Sequence, residues 1–513
     1  MGRQLQSSFI LVTVITIVML FFNLGVIPLA DPDEPVYAET AREMIQFNDY
    51  LSPRIYGEFW YDKPPMYYWL AAGSFQIFGV SEFAARVPSV LLGIACVLYV
   101  YFAVKRLINE RAAMVSSLVL VTSLEFFYLA KGAVTDMTLT LCLTVALLGF
   151  LEKRYYLLYI FAALATVTKG PIGLVFPGAI IFLYWAVNRN FSEIIKMRLP
   201  LGVIIYAVIA VPWYWLMYQH HGAAFIDTFF GFHNIVRFTQ PEHNETAAWY
   251  FFIPILLIGF MPWSAVMFQS IWRAVTRSGR DSRVLNFMLI WAAFIFVFFT
   301  ISQTKLVSYI FPMFPPLAIV VGWYIHSIWD KSRTQPRQFA WGGLLAVFGI
   351  LLSLGIFALD NETAALKSGG IAITLLFIVM IIGVGFSILR RNVPKAFWIQ
   401  VAGMVVFSLI FMTMLLPKAS PWIQSKDIAE AFTAQYDGRS PVYVEKFLRP
   451  GFAFYSKVYG IEMLTGDLDI TLPEVQKGYF IVRGSEYKRL SEQERQDLTV
   501  IAKIGDRVVL LKQ

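Results

Sequence analysis

Thirteen runs of about twenty mostly apolar residues recur along the 513-residue chain, beginning near residues 8, 84, 111, 134, 155, 171, 199, 248, 284, 306, 339, 370 and 396. A run of that length satisfies its backbone in hydrocarbon only as a helix, so each is read as a bilayer-spanning α-helix. Composition agrees: 58% of residues are hydrophobic and 15% charged, where soluble globular chains carry about 25% charged residues. The stretch 155–187 is the least regular, because "TKGPIG" divides two short runs. Acids and prolines, not a small-residue cleavage site, follow the first run, which therefore reads as a retained span. Cys96 and Cys142 both lie inside apolar runs, which excludes a disulfide framework and a cysteine metal site.

The loops between the runs sort into two sets. "KRLINER", "LEKRYY", "NRNFSEIIKMR", "WRAVTRSGRDSR", "WDKSRTQPRQ" and "RRNVPK" alternate with "AKGAVTD", "TKGPIG", "SQTK" and "DNETAALKSGG". The first set is richer in Lys and Arg, and the positive-inside rule places it, with the N-terminus, in the cytoplasm. The net charge of +8 is accounted for by this asymmetry and does not point to nucleic acid. An odd number of spans puts the C-terminus outside.

Residues 1–417 read as a transmembrane region with two long exterior segments, 30–83 and 219–247. In the first, Val36, Thr40, Met44 and Phe47 fall on one helical stripe and Glu39, Arg42, Glu43 and Gln46 on the other, the pattern of an interfacial amphipathic helix. "PPMYYWLAAGSFQIFG" is apolar but too short to span. The second holds four of the five histidines. Over 418–513 the charged residues number 27 in 96, which marks a small soluble α/β domain. There "SKDIAEAFTAQY" reads as a helix and "PVYVEKF", "YFIVRG" and "DRVVLLK" as strands.

Ionisable residues gather at the exterior ends of the runs. "DPDEPVYAE" brings four acids to the first exterior turn, among them Asp33 and Glu34. Helix capping is one reading of them, since an acid and a proline suit a helix N-terminus. The same holds for Asp136, beside Lys131 in "KGAVTDMTL". Lys63 follows Asp62 and precedes two prolines that fix its backbone. Lys169 stands between two apolar runs, Lys305 and Tyr309 are four apart, and so are His233 and Arg237. A charged residue within a spanning helix costs about 2.5–3.5 kcal/mol, so ionisable groups near membrane depth are functional candidates. Cations and a tyrosine hydroxyl can hold a phosphate as a leaving group, while carboxylates can orient or deprotonate an acceptor. No Walker lysine motif and no H-E-x-x-H occurs.

The order "DPDEPVYAETAREM…DYLSPRIYGEFWYDKPPMYYWL", "TDM", "TKGPIG", "HNIVRF" and "KLVSYIFP" resembles the GT-C membrane glycosyltransferases. In particular it is similar to bacterial lipid A 4-amino-4-deoxy-L-arabinose transferases and the related protein O-mannosyltransferase family. The resemblance runs from the first span to about Pro316. It implies inverting transfer of a sugar from a polyprenyl (undecaprenyl) phosphate carrier to a periplasmic acceptor, lipid A or another cell-envelope glycan or glycolipid, by a multi-pass protein of the bacterial inner membrane. By matching motif it implies that Asp33, Glu34 and Asp136 are the catalytic acids. Lys63, Lys169, Arg237 and Tyr309 would bind the carrier phosphate, and Asp62, His233, Lys131 and Lys305 are additional candidates. Asp62 stands where relatives carry glutamate, and Val36 where aminoarabinose transferases carry arginine. The sequence demands no cofactor and leaves room for a divalent metal at the acids. Two alternatives are a protein O-mannosyltransferase-like enzyme and a flippase or transporter of lipid-linked sugar; the latter should carry internal repeats and midplane charges.

Overall fold

The first apolar run forms helix α1, Gly2–Phe21, and the chain then turns through Asp31 and Pro32 into α2, Asp33–Gln46. The computed structural model describes residues 2–236, 248–276, 279, 281–330, 336–357 and 364–512. A two-stranded hairpin, β1 (Arg54–Ile55) and β2 (Glu58–Phe59), leads to α3, Met66–Phe78. Next come α4 (Glu82–Leu107), α5 (Glu110–Val121), α6 (Leu124–Leu129), α7 (Asp136–Leu151), α8 (Tyr155–Lys169), α9 (Ile172–Asn188) and α10 (Leu199–Ile226).

Local chemistry sets several boundaries. Ser81 caps α4 by accepting from the Ala84 amide, with Glu82 in the first turn and Lys105 and Arg106 in the last, both favourable to the helix dipole. Asn109 caps α5 in the same way. Gly170 ends α8 at φ +80°, a conformation that favours glycine.

Each of the thirteen apolar runs falls on helix. Among the described residues, however, six helices are long and apolar enough to cross a membrane, and a seventh if Phe252–Gly259 and Ser264–Val275, which meet at 105°, are one broken span. Other runs give shorter apolar stretches of 17 residues or fewer, such as Tyr155–Lys169 and Ile172–Asn188. One large apolar core joins α1, α4, α5 and α7 to the later spanning helices.

The C-terminal residues form a five-stranded sheet of order β4-β3-β5-β7-β6. Its strands are β3 (Val442–Glu445), β4 (Ile461–Met463), β5 (Gly478–Arg483), β6 (Leu498–Ile504) and β7 (Arg507–Lys512). β3 runs parallel to β4 and β5, and β7 antiparallel to β5 and β6. β4 and β6 are additional to the three strands expected from the sequence. Alternating burial on both faces gives two small cores, one against helix Lys426–Thr433 and one around Phe480 and Leu510.

This sheet region docks on the first loop. The face of α2 carrying Glu39 and Glu43 is not open to water: both are fully buried. The guanidinium of Arg42 pairs with Glu39 and donates to the Phe454 carbonyl at 3.2 Å, on helix Arg449–Ser456. The amphipathic pattern of α2 therefore reflects two protein interfaces rather than a membrane surface and water.

Candidate active site

Two helix ends build the centre of the site. Asp136 is the first residue of α7 and Lys169 the last of α8, and the α7–α8 hairpin brings their side chains to 2.8 Å between Lys169 Nζ and Asp136 Oδ1. The pair is held from behind. A Cβ at Gly173 would collide with the backbone of Thr166, so only glycine lets α9 begin against the last turn of α8. Lys169 Nζ also lies 5.3 Å from the centre of the Tyr309 ring, which packs on Phe299 at 4.9 Å.

Asp33 faces this pair. It is the first residue of α2, yet its carboxylate caps nothing, and it accepts no hydrogen bond among the described residues. The group is reached by solvent although protein surrounds it densely, as expected for the wall of a cavity. Desolvation, then the charge of Asp136, holds the Asp33 carboxyl above the usual aspartate range, while Lys169 and Lys63 pull against that shift. Lys63 donates to Asp62 Oδ1 at 2.9 Å. Asp33, Asp62, Lys63, Asp136, Lys169 and Tyr309 thus form one constellation. Asp136 does not cap α7 either; its N-cap is Thr135.

Other candidates are placed elsewhere. Glu34 points away from Asp33 and is saturated: Arg86 binds both oxygens, at 2.8 Å from Nε and 2.6 Å from Nη2. The Ala30 and Ala133 amides complete its shell at 2.8 and 2.7 Å. These four donors hold its carboxyl below the ordinary value despite burial. Lys131 donates to the carbonyls of Leu20 and Phe22 and closes the C-terminal end of α1, where a cation suits the helix dipole. Lys305 lies in the half-buried turn before the 3-10 helix Val307–Met313. His233 falls in the π-helical turn Asp227–Val236, its side chain outside the described residues, and Arg237 lies outside them too.

Three groups went unrecognised in the sequence. Arg86 looks like a lone charge in "EFAARVP", and nothing local names its partner, which stands two helices earlier on α2. Tyr37, four residues after Asp33 and so on the same face of α2, reaches the Thr135 hydroxyl at 3.4 Å. Glu125 is buried on α6 with neither carboxylate oxygen hydrogen-bonded among the described residues. An apolar cavity of about 290 Å³ is lined by Thr166 and Pro171, which flank Lys169 in the chain, and by Leu174, Tyr206, Ala210 and Tyr214; Lys169 itself does not line it. No group of three or more His, Cys, Asp or Glu positioned to hold a metal occurs among the described residues.

The family profile described as dolichyl-phosphate-mannose-protein mannosyltransferase matches residues 62–215. An undecaprenyl phosphate-alpha-4-amino-4-deoxy-L-arabinose arabinosyl transferase of Edwardsiella ictaluri is 29% identical over 368 residues, 66% of either chain. An uncharacterised Aquifex aeolicus protein is 29% identical over 359 residues, 68% of this chain and 70% of that one. Among solved structures, ArnT from Cupriavidus metallidurans bound to undecaprenyl phosphate superposes with a TM-score of 0.78 at 24% identity, over 98% of this chain and 97% of that one. The Archaeoglobus fulgidus oligosaccharyltransferase AglB, solved with an inhibitory peptide and a dolichol-phosphate, gives 0.54 at 13% identity, over 95% of this chain and 70% of that one. The fold is therefore that of the GT-C membrane glycosyltransferases.

Proposed function

We infer that this chain is a polyprenyl-phosphate-sugar-dependent glycosyltransferase of the aminoarabinose-transferase and protein O-mannosyltransferase kind. The observation that carries the reading is the Lys169–Asp136 pair with Asp33 unpaired beside it, at the helix end from which Thr166 and Pro171 line an apolar cavity. A polyprenyl-phosphate donor needs an apolar path for the tail, cations for the phosphate and a carboxylate for the acceptor.

Transfer breaks the bond between the anomeric carbon and the phosphate oxygen, and the acceptor oxygen bonds to that carbon from the opposite face, inverting it. Lys63, Lys169, Tyr309 and Arg237 stabilise the negative charge that develops on the departing phosphate. Asp33 takes the proton of a hydroxyl acceptor, a role suited to a carboxylate made more basic by burial. Asp136 holds the Lys169 ammonium in place. Glu34 and Lys131 support the loop walls rather than the chemistry, and Asp62 orients Lys63. A divalent metal is not required: Asp62 and Asp136 each hold a lysine, and the lysines supply the positive charge a metal would bring.

Thirteen spans, a cytoplasmic N-terminus and a periplasmic active site and C-terminal α/β domain (418–513) complete the proposal. Its support is that Asp33, Asp136 and Lys169 stand at the helix ends opposite those bearing Lys153 and Arg198, which the positive-inside rule assigns to the cytoplasm. The acceptor is lipid A or another cell-envelope glycolipid or glycan. The mannosyltransferase profile over 62–215 favours a second reading, a protein hydroxyl acceptor. A flippase would keep its charges near the bilayer midplane.

The test is release of free polyprenyl phosphate in proteoliposomes given polyprenyl-phosphate sugars and an outer-membrane lipid extract, with Asp33→Asn and Lys63→Ala alongside. Release by wild type and loss in both folded variants is expected. Intact donor together with leaflet exchange of labelled carrier would instead make the protein a flippase.

A further inference from the structure

A second cavity, about 310 Å³, lies at the other end of the same helices, between the start of α8, the 3-10 helix Phe191–Met197 and the start of α10. Lys153, Lys196 and Arg198 line it with Tyr155, Tyr156 and Tyr159, and no carboxylate does. The 15 residues of α8 rise about 22 Å between this cavity and Lys169, so it is not part of the active site.

The nearby acids are already engaged. Glu152 is held by Arg106 at 2.7 Å, and Glu193 by Arg283 at 2.6 Å. Lys153, Lys196 and Arg198 make no side-chain hydrogen bond or ion pair among the described residues. Three like charges converging on one concavity repel one another unless an anion enters. Two of them sit on strained backbone, Lys153 at φ +62° and Arg198 at φ +52°, a conformation side chains seldom adopt. The N-termini of α8 and α10 add their unpaired amides.

The wall of the cavity is cross-linked through Tyr159 and edged with apolar surface. The Tyr159 hydroxyl donates to the Met197 carbonyl at 2.8 Å, and the Tyr159 ring fills the space where Gly202 has no side chain. Ile195 and Leu201 beside it are 82% and 52% exposed. Cations and tyrosines above a collar of exposed aliphatic side chains match a lipid at the interface, head group inward and chains outward.

We propose that this cavity binds the phosphate head group of an anionic membrane phospholipid, at a site separate from the donor site. A soluble anion would use the three cations but not the collar. The test is native mass spectrometry of the purified protein from phosphatidylcholine nanodiscs containing phosphatidylglycerol. It compares wild type, the triple variant Lys153→Gln/Lys196→Gln/Arg198→Gln, and a control, Arg390→Gln/Lys395→Gln, altered in another basic loop.

Wild type and control should retain phosphatidylglycerol that the triple variant holds roughly tenfold or more weakly, as expected for three cations near a membrane surface. Millimolar inorganic phosphate should not displace it. Equal retention by all three proteins overturns the proposal, and displacement by inorganic phosphate overturns the lipid in favour of a soluble anion. All three side chains are exposed, so the thermal midpoint in phosphatidylcholine alone should be unchanged. If it falls, Lys196→Gln alone is measured on the same criteria, with a severalfold loss expected.

Discussion

Lys169 Nζ and Asp136 Oδ1, 2.8 Å apart, join the last residue of α8 to the first residue of the preceding helix, α7, across the open end of the α7–α8 hairpin. The aspartate fixes where the ammonium points, and the ammonium faces Asp33 and the Tyr309 ring. If Asp136 acts by holding Lys169, the two residues form a single functional unit. Lys169→Ala and Asp136→Asn should each lower kcat by about 10²–10³, the usual loss for one transition-state charge contact. The double variant should be little worse than Lys169→Ala. Additive losses in that cycle would give Asp136 a role of its own.

Asp33 should set the acidic limb of the rate profile. Its raised pKa means that the base form appears only above the ordinary aspartate value, so turnover should rise with pH through a limb displaced upward. Asp33→Asn should flatten that limb and lower turnover by about 10²–10⁴ for a hydroxyl acceptor. A phosphate acceptor is already anionic and should suffer far less, so the size of the loss reports the acceptor class.

The same shift carries a stability consequence. An acid whose folded pKa is raised binds more protons folded than unfolded, so stability falls as pH climbs through the window between the two values. Removing the charge should relieve this. Asp33→Asn is therefore expected to melt no lower than wild type at neutral pH, and higher if nothing else changes. A lower melting temperature would mean that the Asp33 carboxylate supports the fold.

The Glu34–Arg86 pair makes the opposite prediction. Both side chains are buried, and Arg86 further holds the carbonyls of Leu24, Ile27 and Pro28. Arg86→Ala strands a buried carboxylate and should cost about 3–5 kcal/mol, seen as a fall in melting temperature and in membrane yield. Because Glu34 has a lowered pKa, its contribution is present above the ordinary glutamate value and fades as pH drops through the folded one. Glu34→Gln should remove that pH dependence and, if Glu34 is structural, leave kcat of the folded fraction close to wild type.

Much of this was legible in the sequence, and the remainder was hidden for one reason. Apolar length located the helices, and their ends located Asp33, Lys63, Asp136, Lys169 and Tyr309, because ionisable groups near membrane depth are costly and few. The direction of each side chain was not legible. Glu34 is adjacent to Asp33 and equally acidic, yet successive helical residues project about 100° apart, and its partner stands on a different helix, α4. Likewise, Lys131 reads as an additional site candidate until α1 places its terminal carbonyls around the ammonium. The polar stripe of α2 was visible, but the surface that covers it comes from the far end of the chain, on helix Arg449–Ser456.

If the two lysines replace a metal, chelation should not matter. Turnover should be unchanged, within about twofold, after dialysis against EDTA and in the presence of added Mg²⁺ or Mn²⁺, since Asp62 and Asp136 are engaged by Lys63 and Lys169 and a divalent ion would have to displace them. Loss of activity on chelation, restored by one ion, would return Asp33 and its neighbours to the role of metal ligands.

The last prediction concerns Asp31, two residues before Asp33, with its side chain fully buried beneath the C-terminal sheet. Its Oδ2 accepts from Ser425 at 2.6 Å and from Arg507 Nη2 at 3.1 Å, and its amide donates to the Ile423 carbonyl at 2.9 Å. A Cβ at Gly451 would strike the Asp31 carboxylate, so the approach depends on glycine there. Burial lifts the Asp31 pKa to about 7 even though Ser425 and Arg507 both donate to the carboxylate and pull it down, so these two partners are what make a charged Asp31 tolerable near neutrality. Arg507→Ala should then loosen the sheet from the first loop and cost about 3–5 kcal/mol. Limited proteolysis should report it as faster cleavage near 416–425. Arg507→Met with Asp31→Leu removes both charges and should recover much of the loss, as apolar replacement of buried pairs does. If Asp31 only ties the sheet down, the double variant regains turnover together with stability. Recovery of stability alone would show that the Asp31–Arg507 contact also sets the position of Asp33.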